Sequence, residues 1–281
     1  MKLFRLLSLV AALTTLTGCQ NSNTIRIILL AGQSNMEGHD FPWNELPQTI
    51  IDQYRAGHGN VKINYNCTYE ATYESGVANT SNGEFVGVDF GQGRNQTLFG
   101  PEVGVASYLG SHDSAHQYYL IKSCEGSSSL ADQWSAEGSC YRTFINDVDA
   151  SISKLKKKKL NIRITGFMWM QGEHDSDTEE HANKYKERTL GLIKRINKKF
   201  KDYLPSYGIP FIDAGISTDG MWTFADTINT AKKEVAASNE HYRYVIDSET
   251  LDKQPPNRYH YTPRAYLRLG ERFAEEYLSI K

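Results

Sequence analysis

Leu29-Leu-Ala-Gly-Gln-Ser-Asn-Met-Glu-Gly38 decides how the rest of the chain is read. The largely apolar run from Ile25 to Leu30 stops at Gly32, and Gln33-Ser34-Asn35 follows at once. That pattern is a buried strand ending in a tight turn that presents one hydroxyl. A serine at the C-terminal end of a strand, with a helix starting behind it, is well placed for a nucleophile. Its own N–H and the next few are free to face an oxyanion. The same residues also read as a simple helix N-cap, a common position for serine, so the rest of the chain has to decide.

Downstream, Gln117 to Ser123, Ile162 to Met170, Pro210 to Ile216 and Arg243 to Asp247 read as further strands. Helices are expected between them. One opens at Phe99-Gly-Pro-Glu102, with Pro and Glu as start signals. Tyr141 to Leu155 carries Phe144, Val148, Ile152 and Leu155 on one face. Others are expected near 179–200, 223–238 and 263–279. Lys156 to Lys159 reads as a solvated helix end whose charges suit the dipole. Residues 39–98 show no sustained helical period and read as a long loop or small hairpins over the mouth of the sheet. Strands alternating with helices imply an α/β fold with a parallel sheet, whose site lies at the C-terminal ends of the strands.

The N-terminus carries a different message. Lys2 and Arg5 precede an apolar stretch, Leu6 to Leu16, that is too short to span a bilayer. Leu16-Thr17-Gly18-Cys19 follows, and resembles a bacterial lipoprotein signal. The resemblance implies residues 1–18 as a cleaved signal peptide, lipidation at Cys19, a tether at 19–23 and a single domain over 24–281. An ordinary secretory signal is the other reading. Both export the chain, to the periplasm or cell surface, with membrane attachment only through the N-terminal lipid. The net charge of −2 gives no reason to expect nucleic acid. Among Cys67, Cys124 and Cys140, the pair flanking one short loop, Cys124 and Cys140, is the expected disulfide. The 17 tyrosines and 4 tryptophans suit either a packed core or a site that stacks on sugar rings.

Three separated pieces fall where chemistry is expected: Ser34 after the first strand, Trp169-Met-Gln-Gly-Glu173 after the Ile162 strand, and His260 before the last helix. Ester hydrolysis needs a nucleophile, a base within hydrogen-bond reach and oxyanion donors. Ser34, His260 and Gln171 match these parts. His112 and His116 lack the glutamate of a zinc-protease helix, and Gly91-Gln-Gly93 lacks the setting of a dinucleotide fingerprint. No Gly-x-Ser-x-Gly elbow exists, against the ordinary α/β-hydrolase fold. No metal or cofactor is expected.

The chain resembles the SGNH-type hydrolases, and within them the sialate O-acetylesterase-like group that includes carbohydrate esterase family 6 acetylxylan esterases. Gly32-Gln-Ser-Asn35, Phe99-Gly-Pro-Glu102, Lys122 with Gly126-Ser-Ser-Ser-Leu130 and Trp134, Trp169-Met-Gln-Gly-Glu173 and His260 carry the resemblance. It implies a flavodoxin-like three-layer α/β/α sandwich with a central parallel sheet, and metal-free removal of acetyl groups from acetylated oligo- or polysaccharide, acetylxylan-type or sialate. Ser34 would be the nucleophile and His260 the base. The oxyanion donors would be the amides of Ser34 and of a glycine (Gly100, or Gly126 in competition) together with Gln171. Gln33, Asn35, Gly126, Trp169 and His174 are the expected substrate contacts.

One position departs from the pattern. Such enzymes commonly place an aspartate three residues before the histidine, to orient the imidazole; here it is Asn257. Either His260 lacks its usual partner or another carboxylate serves. Glu173 is the natural candidate, ahead of Asp252 and Asp247. Two other classes stay open: a non-catalytic glycan-binding lipoprotein and a lipase-like esterase that prefers longer acyl chains.

Overall fold

β1 (Thr24–Gly32) lies at the centre of the sheet, flanked on one side by β5 (Gln117–Cys124) and on the other by β6 (Asn161–Met170), both parallel to it. The computed structural model describes residues 24–67, 79–253 and 258–280. The signal segment with Cys19, and Asn257, lie outside those residues. β2 (Val61–Cys67), β7 (Phe211–Ala214) and β8 (Tyr242–Val245) extend the parallel sheet, and the short β3 (Asn79–Thr80) and β4 (Val86–Gly87) pair antiparallel with β2. The order is β3-β2-β5-β1-β6-β7-β8, with β4 also on β2. Ile27, Ile28, Leu29 and Leu30 are all fully buried. A strand covered on both faces needs such a run rather than alternation.

Helices cover the two faces. α2 (Gln48–Arg55), α3 (Glu102–His112) and α8 (Pro263–Leu278) pack together on one side, and α4 (Ser139–Lys157), α6 (Tyr185–Phe200) and α7 (Ala225–Ala237) on the other. The one-turn α1 (Ser34–Glu37) caps the end of β1, and α5 (Glu179–Asn183) leads into α6. This is the expected three-layer α/β/α arrangement. The chain passes from β1 to β2, returns to β5 beside β1, and then continues on the other side of β1 through β6, β7 and β8. The C-terminal end of β1, between β5 and β6, is therefore the switch point where such sheets bind ligands.

Two contacts fix the frame of that end. α3 and α8 cross backbone to backbone: a Cβ on Gly104 would lie 2.1 Å from the Leu267 carbonyl oxygen, and one on Gly270 2.1 Å from that of Pro101. α8 therefore starts at a defined place directly after His260. Its first turn is capped by the Thr262 hydroxyl, which accepts from the Ala265 N–H, and begins with Pro263. The second contact is a fully buried ion pair. Lys122 Nζ lies 2.7 Å from Glu102 Oε2 and donates to the carbonyls of Glu37 and Gln92, each at 2.9 Å. Burial alone would pull the Lys122 ammonium down; the Glu102 carboxylate outweighs it, and the net direction is up.

The segment 39–98, expected as a long loop or small hairpins, contains the antiparallel pairs β2–β3 and β2–β4 and more besides. It supplies α2 and a sheet strand, β2, in register with β5 from Val61 opposite Tyr118 to Asn66 opposite Ser123. β2 alternates apolar and polar residues because it lies toward the edge, so it lacks the apolar run of β1. The helix expected over 179–200 is two helices, broken at Lys184. The expected Cys124–Cys140 disulfide is also corrected: all three described cysteines are free and buried. Their thiols serve different neighbours, Cys140 donating to Glu125 Oε2 at 2.8 Å and Cys124 facing the Leu30 carbonyl at 3.9 Å.

Breaking the buried pair from one side strands a charge. Glu102→Ala is expected to lower the unfolding free energy in urea by about 3–5 kcal/mol. Adding Lys122→Met should return most of that loss. A single-variant cost below about 1 kcal/mol would show that the pair does not hold this end of the sheet together.

Candidate active site

The turn after β1 is forced by contact with β6. Gly32 has φ +150°, and a Cβ there would lie 1.9 Å from the Met170 carbonyl oxygen. That carbonyl also accepts the Gln33 N–H at 2.9 Å. The chain then winds into α1. The N–H groups of Met36 and Glu37 return to the Gln33 carbonyl at 2.8 and 2.9 Å, and that of Gly38 to the Ser34 carbonyl at 2.8 Å. Ser34 is the first residue of the turn and 7% exposed. The N–H groups of Ser34 and Asn35 precede any intrahelical acceptor, which makes them the local donors for an oxyanion.

Asn35 joins this turn to the histidine loop. Its Nδ2 donates to Glu173 Oε1 at 2.7 Å and to the Tyr259 carbonyl at 3.2 Å. Its Oδ1 accepts from the Tyr261 N–H at 3.3 Å and from the Tyr266 hydroxyl at 3.2 Å. Two donors and two acceptors exhaust an amide side chain. The residues on either side of His260 are thus clamped to the residue following Ser34.

The carboxylate on His260 is Asp40, which sequence reasoning missed. Its Oδ2 is hydrogen-bonded to His260 Nδ1, leaving Nε2 as the ring nitrogen that can serve Ser34. Asp40 has φ +64°, a left-handed conformation that aspartate tolerates better than most residues. Burial alone would raise the Asp40 carboxyl. The hydrogen bond from His260, with the charges of His260, His39 and Arg94, outweighs this and holds it below its ordinary value of 3.8. A carboxylate on Nδ1 fixes the tautomer and stabilises the imidazolium formed during proton transfer.

Glu173 is therefore corrected as the partner of His260. It is 1% exposed and turned to Asn35. Burial raises its carboxyl, with the Asn35 hydrogen bond pulling the other way, so it is a poor source of compensating charge. Its place is behind Asn35. Of the other candidates, Asp247 pairs with Arg272 at 3.0 Å, and Asp252 offers its backbone carbonyl to the Thr262 N–H at 2.9 Å.

The expected oxyanion donors need similar revision. The two amide hydrogens of Gln171 face Asp175 Oδ2 at 2.6 Å and the Ser128 carbonyl at 3.0 Å, with Gln33 Oε1 at 3.3 Å, so Gln171 braces the 126–130 loop. The Gly100 N–H donates to Glu102 Oε1 at 3.0 Å, beneath α1, and the Gly126 N–H to Glu37 Oε2 at 3.0 Å. The Ser34 amide is the expected donor that the geometry leaves in place. Among the expected substrate contacts, Trp169 is fully buried and donates to the Tyr185 hydroxyl at 3.2 Å. Gln33 is 3% exposed, and its Oε1 faces the N–H groups of Gly172 and His174 at 3.4 and 3.3 Å. Asn35 is the clamp already described. Gly126 and His174 are half-buried at the mouth.

A second histidine lies against the first. The His39 ring stacks on His260 with centroids 4.8 Å apart. His39 Nε2 lies 2.6 Å from Glu37 Oε2, and Nδ1 lies 3.3 Å from Arg94 Nη1. His39, Asp40 and His260 offer three metal-ligating atoms within 4.8 Å of one another. Both nitrogens of His39 are already engaged, one by a guanidinium, which is a donor arrangement unsuited to a cation. Gly126 is small because a Cβ there would lie 3.2 Å from the His39 ring.

The model of a family described as carbohydrate esterase, sialic acid-specific acetylesterase, matches residues 24–279. No curated protein sequence matches the chain. Among solved structures, a protein from Arabidopsis thaliana is similar at 21% identity and a TM-score of 0.65, over 90% of this chain and 98% of that one. NanS is similar at 14% and 0.58, over 91% and 97%. A carbohydrate acetylesterase from Xanthomonas citri is similar at 16% and 0.59, over 91% of this chain and 56% of that one. These likenesses show a shared fold.

Asp40 and Glu173 can be separated by pH and rate. The Asp40 carboxyl is held down in the folded chain. Its hydrogen bond with His260 therefore contributes stability above the ordinary carboxylate value, and loses it as pH falls through the still lower folded value. It stays ionised across the neutral range. Asp40→Asn should cut kcat on an aryl acetate by at least about a hundredfold. Glu173→Gln keeps an acceptor for Asn35 and should cost about tenfold or less. The reverse ranking would return the partner role to Glu173.

Proposed function

The chain belongs to the sialic acid-specific acetylesterase family of carbohydrate esterases, and on that footing we propose that it is a serine O-acetylesterase in which Ser34, His260 and Asp40 act as the triad. The family makes it a carboxylic ester hydrolase with acetylated saccharide as substrate. The observation that carries the mechanism is the His260–Asp40 pair, clamped through Asn35 to the turn that bears Ser34. Ser34 Oγ attacks the acetyl carbonyl while His260 Nε2 takes its proton. The tetrahedral oxyanion rests on the backbone N–H groups of Ser34 and Asn35. His260 returns the proton to the departing sugar hydroxyl, and water, activated in turn by His260, releases acetate from Ser34.

The finer substrate reading is an acetylxylan-type polysaccharide, with O-acetylated sialic acid as the alternative. The first reading rests on the resemblance carried by Gly32-Gln-Ser-Asn35 and Trp169-Met-Gln-Gly-Glu173. The family's own description favours the second.

The chain is also read as an exported lipoprotein, anchored at Cys19. Thr24 begins β1 and Ser34 follows its end. A nine-residue strand, roughly 30 Å long, would then separate the anchor from the site and turn the site away from the membrane.

Acetate release from acetylated xylan oligosaccharides and from O-acetylated sialic acid, side by side, tests the substrate, with Ser34→Ala as the blank. Release from xylan above the blank is expected. Release from sialic acid alone would replace the substrate and keep the triad, and release from neither substrate nor from an aryl acetate would remove the enzymatic reading. For the anchor, incorporation of labelled palmitate in a bacterial host is expected and should be lost in Cys19→Ala. A wild-type chain that stays unlabelled and soluble would leave an ordinary secretory signal.

A further inference from the structure

The end of the sheet opposite the site is strongly basic on one side, where the C-terminal ends of α4 and α6 meet the start of β6. Lys156 to Lys159 and Arg163 are all exposed, as are Lys198, Lys199 and Lys201 from the end of α6 and the turn after it. Contacts hold these segments together. Lys156 Nζ donates to the Tyr203 hydroxyl at 3.4 Å, Arg163 Nη1 donates to the Asp202 carbonyl at 3.5 Å, and Lys199 Nζ lies 2.6 Å from Asp149 Oδ2. The carboxylates at this corner are Asp149, Asp202 and Glu84, the last paired with Lys154. With Lys154 counted, nine cations meet three carboxylates. On the α3 and α8 side of the same end the signs balance more nearly: Arg26, Arg243 and Arg272 stand among Asp113, Glu240, Glu275 and Glu276.

Helix dipoles do not account for this corner. They favour cations in the last turns of α4 and α6, but Lys158 and Lys159 lie past the end of α4 and Arg163 lies on a strand. Lys159 has φ +58°. Its N–H returns to the Lys156 carbonyl at 2.8 Å, and the Leu160 N–H to that of Leu155 at 3.2 Å. In this closing pattern glycine is the usual residue at the left-handed position. A lysine there adds backbone strain to charge repulsion within the run, which works against its own helix end. The chain enters the fold at the same corner. Thr24 pairs with Asn161, just beyond Lys159, and its hydroxyl accepts from Asn161 Nδ2 at 2.8 Å. The tether at 19–23 reaches at most about 18 Å when extended, so a lipid on Cys19 would hold a bilayer surface close to these cations.

We propose that the corner formed by the ends of α4 and α6 is a docking face for an anionic phospholipid surface, on which the anchored domain rests with its site pointing outward. The proposal rests on the anchor reading above and adds what orients the domain beside the bilayer. Ammonium and guanidinium groups are attracted to lipid phosphates within about a Debye length, roughly 10 Å. A single tether leaves a domain free to rotate, and a basic face beside its point of attachment removes that freedom. Lipid and basic patch are the two signals that together give stable attachment. The strands run from this end to the site, so docking here keeps the Ser34 turn a strand's length from the bilayer.

Vesicle binding without the lipid tests the face alone. The chain from residue 19 onward, carrying Cys19→Ala, contains every described residue and has no thiol to lipidate at its start. At about physiological ionic strength it should cosediment with vesicles of equimolar phosphatidylglycerol and phosphatidylcholine but not with phosphatidylcholine alone, and added salt should release it. Replacing Lys156 to Lys159 by glutamine should lower the partition coefficient at least tenfold, with a cooperative thermal transition retained as the sign of an intact fold. Lys184→Gln with Lys186→Gln, at the start of α6, should leave partition unchanged. Equal binding to both vesicle types, binding to neither, or the same partition in the four-lysine variant would overturn the docking face. Retention by DNA as strong as by the anionic vesicles would mark a general polyanion surface and overturn the membrane assignment. The anchor reading fails separately: a wild-type chain that takes up no palmitate, while its Cys19→Ala form still binds anionic vesicles, would remove the lipid and keep the face.

Discussion

The Asn35 side chain is the joint on which the site depends. Its four hydrogen bonds reach three parts of the chain: Glu173 after β6, Tyr259 and Tyr261 around His260, and Tyr266 in α8. Ser34 and His260 are separated by 225 intervening residues, so nothing local brings them together. The sheet places Ser34, the α3–α8 crossing places the start of α8, and Asn35 closes the remaining gap. A buried amide with all its capacity used is rigid, because moving any one partner leaves a polar group unsatisfied. That rigidity is what proton transfer between a serine and a histidine requires.

Burial explains why so many of the expected contacts are braces. The turn after β1 lies among three loops that carry polar residues into the interior, and each polar group there must find a partner. Gln171 supports the Ser128 carbonyl and Asp175; Gln33 meets the N–H groups that follow β6; Glu37 Oε2 accepts from Gly126 and faces His39. These side chains act on the reaction through the backbone they hold. Donors for the oxyanion are then the N–H groups that the turn itself leaves open, at Ser34 and Asn35.

The fold was legible where the physics is one-dimensional. β1 is buried on both faces, and its apolar run and terminal Gly32 mark it directly. α4 and α8 are amphipathic, and their apolar period shows the buried face. For β2 the place in the main sheet was not legible, because Val61-Lys-Ile-Asn-Tyr-Asn-Cys67 lies among glycine- and asparagine-rich segments that read as a long loop or small hairpins. Within the site, the proposed nucleophile and base, Ser34 and His260, were expected from their motifs. The direction of a side chain was not: Gln171 and Glu173 occupy the expected turn but point into the interior. Asp40 was missed for a stronger reason. It lies in an irregular turn, at positive φ, and is 220 residues from its partner. The one available signal was an acidic residue six positions after the candidate nucleophile, in a residue type that tolerates the left-handed conformation.

That carboxylate also changes the logic of the whole site. With Asn257 in the customary position, the chain read as lacking the charge that stabilises an imidazolium, which kept a non-catalytic glycan-binding role open. Asp40 supplies that charge from the nucleophile's own loop. The turn that positions Ser34 therefore continues through Gly38 and His39 into the group that orients His260. Gly38 makes this continuation possible: at φ +95°, a Cβ there would lie 2.2 Å from the Phe99 carbonyl carbon, so only glycine lets the chain pass under α3 and rise again to Asp40. The proposed nucleophile and acid are thus held by one short segment, and the loop of the proposed base is tied to it by Asn35. Displacement of the 33–40 segment would disturb attack and proton transfer together, whereas an acid carried on the histidine's own loop would leave the two separable.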